Sequence, residues 1–75
     1  MLKDNFRISV FKTNVSSDAD AKIVFNQIQL TYPTVRINFD LEDCDKILRL
    51  EGQNYQEDDI VSILNKLGFG CEELL

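Results

Sequence analysis

Ser17, Asp18 and Asp20, within Val15-Ser16-Ser17-Asp18-Ala19-Asp20, are residues whose types and spacing could do chemistry. A hydroxyl and two carboxylates so close together can bind a hard cation or dock a basic partner. They can also cap a helix. Serine is a favoured N-cap, Asp20 three residues on makes a short capping box, and both aspartates suit the positive end of a helix dipole. Capping alone accounts for all three residues.

The second cluster is the run Leu41-Glu42-Asp43-Cys44-Asp45, with a second cysteine at Cys71. Two cysteines are too few for a disulfide framework. Catalysis finds little support. The chain has no histidine, so the usual base near neutral pH is missing, and neither cysteine sits in an activating pattern. Asp58-Asp59 and Glu72-Glu73 are adjacent pairs that point to different faces of an element. The three glycines, Gly52, Gly68 and Gly70, form no phosphate loop. A non-enzyme without a cofactor is expected.

Composition narrows the partners. Thirteen acidic residues against eight basic ones leave a net charge of −5 over 75 residues. The basic residues, from Lys3 to Lys66, are scattered and make no run, so neither nucleic acid nor an anionic membrane surface is an expected partner. Hydrophobic residues at 44% allow one small core, although a chain this short buries only about 60% of its unfolded surface. The opening MLKDNFR carries charges where a signal peptide needs an apolar stretch, and no segment approaches the length of a membrane span. A cytoplasmic location is expected.

The elements that must position these residues follow from periodicity. Phe6, Ile8 and Val10 alternate with Arg7, Ser9 and Phe11, predicting a strand over about 5–13. Ala21, Val24, Phe25 and Ile28 recur at helical spacing over about 18–30, and Tyr32-Pro33 stops that helix. Val35, Ile37 and Phe39 alternate with Arg36, Asn38 and Asp40 in a second strand. The acidic run reads as a hairpin loop, and a third strand over about 46–51 turns Leu48 and Leu50 to one face. Gly52-Gln53-Asn54 breaks that strand. Glu57-Asp58-Asp59 opens a second helix with the stripe Ile60, Ile63, Leu64 and Leu67. Gly68 suits its left-handed exit, and 69–75 can supply a last strand.

Strand, helix, strand, strand, helix, strand fits the α+β ferredoxin-like βαββαβ sandwich, with two helices on one face of a four-stranded antiparallel sheet. One domain over 1–75 is expected, with its core at about 6–75. In that topology the first loop, the hairpin and the second-helix exit share one end. This end gathers Ser17, Asp18, Asp20, Glu42, Asp43, Cys44, Asp45, Phe69 and Cys71 into an acidic edge. A strand order of 4-1-3-2 puts Cys44 about 10 to 14 Å from Cys71, beyond the roughly 7 Å that a disulfide allows.

With that order in place, the chain resembles the heavy-metal-associated (HMA) domain of copper chaperones and metal-transporting ATPases. In that family Met-Thr-Cys, two residues and a second Cys open the first helix. Val15 and Ser16 fall at the Met and Thr, and Ser17 and Asp20 at the two cysteines. Pro33-Thr34-Val35-Arg36-Ile37-Asn38-Phe39-Asp40 is similar to the family's second strand, and 58–69 to its second helix and Gly-Tyr/Phe ending. The resemblance spans about 6–75. It implies a metal loop at Ser17 and Asp20, which lack the soft thiolates that select Cu(I). Copper transfer is therefore not expected, and no metal ligand is assigned.

The expected function is a metallochaperone-type scaffold acting as a protein-interaction module. A basic protein partner would meet Ser17, Asp18, Asp20, Glu42, Asp43, Asp45, Phe69 and Cys71, or a second copy would form a homodimer. The alternative is a regulatory module binding a small ligand or hard metal ion, or keeping weak heavy-metal affinity. An RNA-recognition domain shares the element order, but the third strand, Lys46 to Glu51, offers no aromatic residue on which bases could stack.

Overall fold

The computed structural model describes residues 6–74. Its elements run β1 (Arg7–Thr13), α1 (Asp18–Thr31), β2 (Arg36–Asp40), β3 (Ile47–Gly52), α2 (Glu57–Lys66) and β4 (Cys71–Leu74). The anticipated strand positions at Asn5 and Leu75 lie outside the described residues. α1 begins where the sequence signals it: Ser17 is extended, and its Oγ accepts a hydrogen bond from the Asp20 amide at 3.1 Å. It ends at Tyr32, whose amide donates to the Ile28 carbonyl at 2.7 Å, immediately before Pro33. α2 leaves through Gly68 at φ +95°, the left-handed exit that glycine accepts most readily.

The four strands form one antiparallel sheet in the order β2-β3-β1-β4. With two helices and this element order, the chain has the ferredoxin-like βαββαβ fold. β1 is central and pairs Phe11 with Leu48 on one side and with Glu73 on the other. Phe11, Leu48 and Leu50 turn inward and are fully buried beneath Val24 and Ile28 of α1 and Ile60 and Leu64 of α2. Each such side chain contributes about 1.5–3 kcal/mol by leaving water. Gly52 ends β3 because space is short there: a Cβ at that position would sit 3.3 Å from the Cα and Cγ2 of Val35.

Three packing details are not given by the periodicity reading. Phe25, grouped with the buried stripe of α1, is 37% exposed, and only Ala21, Val24 and Ile28 are buried. One position beyond Val24 is a rotation of about 100° around a helix, which carries Phe25 off the core-facing side. Tyr55, which directly follows the Gly52-Gln53-Asn54 break and which periodicity assigns to no element, is fully buried. On β1 the buried side chains are Ser9, Phe11 and Thr13, whereas Phe6 and Ile8 are exposed. The strand turns its more uniformly apolar side away from the helices.

Candidate functional site

The β1–α1 loop, the β2–β3 hairpin and the α2–β4 turn meet at one end of the sandwich, and Thr13 ties them together. Its amide donates to the Asp45 carbonyl at 3.0 Å, and its hydroxyl donates to the Lys46 carbonyl at 2.6 Å. The same hydroxyl accepts from the Val15 amide at 3.1 Å, and Cys71 lies directly across the ladder. From the neighbouring position the Asn14 Oδ1 accepts from the Gly70 amide at 2.8 Å. A β-branched residue with one buried hydroxyl thus serves two loops at once.

This end brings together the sequence-predicted loop residues. Ser17 and Asp18 are exposed at the α1 start, with Asp20 half-buried. Ser17 Oγ is committed to the cap, which the box spacing predicts. Glu42, Asp43 and Cys44 are exposed in the hairpin, and Asp45 is half-buried. Asp43 Oδ1 accepts from the Asp45 amide at 2.8 Å, closing an Asx turn. Lys46 reaches the Leu41 carbonyl at 3.0 Å, and Lys12 stands 3.9 Å from Asp45. Phe69 is half-buried against the core.

The side groups of Asp43, Cys44 and Asp45 each place one ligand-type atom within 4.8 Å of the others. A cavity of about 330 Å³ adjoins this end, lined by Lys12, Thr13, Asn14, Gly70, Cys71 and Glu72. Both cysteines are free, Cys44 exposed and Cys71 half-buried. Burial pushes the Cys71 thiol up to about 11 from 9.0, so it stays protonated at neutral pH.

The opposite end holds a polar cluster that periodicity does not reveal. Arg7 Nε donates to Glu57 Oε2 at 2.9 Å, Nη2 donates to the Tyr55 carbonyl, and the guanidinium lies 4.7 Å from the Tyr55 ring centroid. Ser9 Oγ donates to Glu57 Oε2 at 2.9 Å and sits 2.7 Å from the Tyr55 hydroxyl. Burial alone would raise the Glu57 carboxyl. Hydrogen bonds from Ser9 and its own backbone, with the Arg7 charge, outweigh that and hold it below the usual range.

Tyr32, edge-on to Tyr55 at 6.3 Å, donates to Asp59 and is raised by that bond first and by burial second. The inward alternation of Ser9 was the available signal. Its partners stand 46 and 48 residues away, a separation that no local pattern reports. The buried polar side-chain atoms among the described residues all have partners, which marks the cluster as a structural fastening.

Among the described residues no helix is long and apolar enough to cross a membrane. No protein-family model, curated protein or solved structure matches this chain.

Proposed function

We propose that the chain is a non-catalytic protein-interaction module, a metallochaperone-type scaffold of the HMA kind without its thiolate pair. Its acidic end meets a partner rich in lysine or arginine. The observation that carries this reading is the meeting of three segments around Thr13, which gathers Asp18, Asp20, Glu42, Asp43 and Asp45 at one end. Opposite charge at that end would steer and orient a basic segment. Ser17 and Asp20 offer a capping hydroxyl and a carboxylate where the resemblance implies thiolates, and neither selects a soft ion.

Two measurements test it. Titration with Cu(I) against a competing chelator is expected to show no tight stoichiometric site, and finding one overturns the reading. A lysine-rich peptide is expected to shift amide resonances in 14–20 and 41–46, less so with D18N and D20N together. Shifts absent from those segments, or unmoved by the substitutions, overturn the acidic-end assignment.

A second reading, a module for a hard cation or small ligand, draws on the closeness of Asp43, Cys44 and Asp45 and on the adjoining cavity. It predicts localised shifts at 43–45 with Ca²⁺ or Mg²⁺, or at 70–72 with a metabolite panel.

A further inference from the structure

The face of the sheet turned away from the helices carries an exposed apolar stripe. Phe6 is 55% and Ile8 51% exposed, and Val10 and Leu74 continue the apolar stripe as half-buried neighbours in register. Residues paired across antiparallel strands share a face, so the register also places the face's charges. Arg36 stands beside Glu51, Lys12 beside Glu72, Arg49 beside Asn38, and Asp40 beside Ile47. Among the described residues the face's three cations and three anions cancel, on a chain whose net charge is −5. The negative excess lies elsewhere.

We propose that this face is where two copies of the chain associate. The neutral balance lets one face meet its own copy without the repulsion that acidic surfaces impose on each other. The charges also suit a two-fold axis that lies in the interface and crosses the strands at the row of Asn38, Arg49, Val10 and Leu74. Such an axis exchanges the row holding Arg36 with the row holding Asp40, two residues to either side of Asn38 on β2. Arg36 of one copy then faces Asp40 of the other, and the contact occurs twice. Val10 meets Val10 and Leu74 meets Leu74, giving the contact an apolar centre. Arg49 falls on the axis with its guanidinium already held by Glu51 at 3.3 Å, so its charge arrives paired.

Size sets the strength. Four strands about 4.8 Å apart and about 6 residues long outline roughly 400 Å² before side-chain relief is counted. Stable interfaces bury about 800 Å² per partner, which places this dimer at the small end and its dissociation constant in about the micromolar range.

Sedimentation equilibrium on the whole chain tests the proposal. The natural sequence is expected to dimerise over about 1–100 μM. R36D and D40R should each weaken the dimer by about tenfold or more, because each sets like charges opposite one another. An equimolar mixture of the two should restore it, since both facing pairs at positions 36 and 40 are again of opposite sign. Arg36, Asp40 and Ile8 are all exposed, so these changes spare the core, and the mixture cannot recover association if either variant is misfolded.

I8K supplies an independent break, because the same axis sets Ile8 of β1 against Lys12 of the other copy, and concentration-dependent amide shifts should fall in β1 and β3. A chain monomeric throughout that range overturns the proposal, as does a dimer indifferent to I8K and both reversals. Weakening by both reversals without rescue by the mixture overturns the two-fold arrangement. These readouts are independent of the peptide titration, which reports on the other end of the molecule.

Discussion

The Ser9 hydroxyl lies 2.7 Å from the Tyr55 hydroxyl, a buried contact that joins the central strand to the segment entering α2. Both groups are buried: Ser9 donates its proton to Glu57, so its oxygen accepts from the Tyr55 hydroxyl, which depends on Ser9 for that hydrogen bond. S9A leaves the Tyr55 hydroxyl with one partner fewer and removes a donor from Glu57. It should cost about 1–3 kcal/mol in urea unfolding, the usual penalty for an unpaired buried polar group. Y55F keeps the ring and should cost less. The double variant should cost less than the sum, because residues in one network couple. Additive losses would count against a shared network.

Glu57 makes stability depend on acid. Its folded pKa lies below the ordinary carboxyl value of 4.5, so the folded state favours the ionised form. The stabilisation is complete above the unfolded pKa and is lost as pH falls through the folded one. Denaturant midpoints should therefore decline on acidification below about pH 4.5, and E57Q should flatten that decline. An equally steep decline in E57Q would assign the acid sensitivity to other carboxylates.

The two thiols should separate by reactivity. Cys44 is exposed, whereas the Cys71 thiol is raised to about 11 by burial. An alkylating reagent at neutral pH should modify Cys44 first, as peptide mass spectrometry would show, and reach Cys71 as the chain unfolds. The neutral Cys71 thiol supports the fold below its unfolded value of 9.0, and that support is lost as pH rises through about 11. Equal labelling of both thiols in the folded chain would contradict this burial.

Two glycines should fail for different reasons. Gly68 has φ +95° and open space around it, so G68A carries a backbone penalty alone, about 1–2 kcal/mol. At Gly52 the backbone is ordinary strand, but an added Cβ meets Val35 at 3.3 Å. G52A should cost about 1–3 kcal/mol through overpacking, and V35A should relieve part of it. Thermal melts of the three variants distinguish the two causes.

Cap removal offers a control for the acidic end. S17A deletes the hydroxyl that accepts from the Asp20 amide and should cost about 1 kcal/mol. Both aspartate charges remain, so binding of a basic peptide should persist. Loss of peptide binding with stability unchanged would invert the roles given to Ser17 and the aspartates.

The element order was legible because each element carries its own period and its own stop: Ser17 before α1, Pro33 after it, Gly68 after α2. The meeting of loops at the acidic end followed from topology alone. The choice of face on β1 did not. Phe6, Ile8 and Val10 against Arg7, Ser9 and Phe11 read equally well as an alternation. Only the distant Tyr55 and Glu57 make Ser9 a satisfied inward residue. Tyr55 itself follows a Gly-Gln-Asn stretch that reads as a turn, and its burial depends on α1 and α2 closing over it.

The sheet's margins have a consequence for growth. β4 is four residues long and carries two glutamates, while β2 is five residues long with Arg36 and Asp40 near its ends. Short, charged margins discourage strand-to-strand addition, the mode that extends without limit. Pairing through the broad face is different in kind, because a two-fold contact consumes itself once made. The same sheet therefore resists becoming a ladder while leaving open an assembly that stops at two.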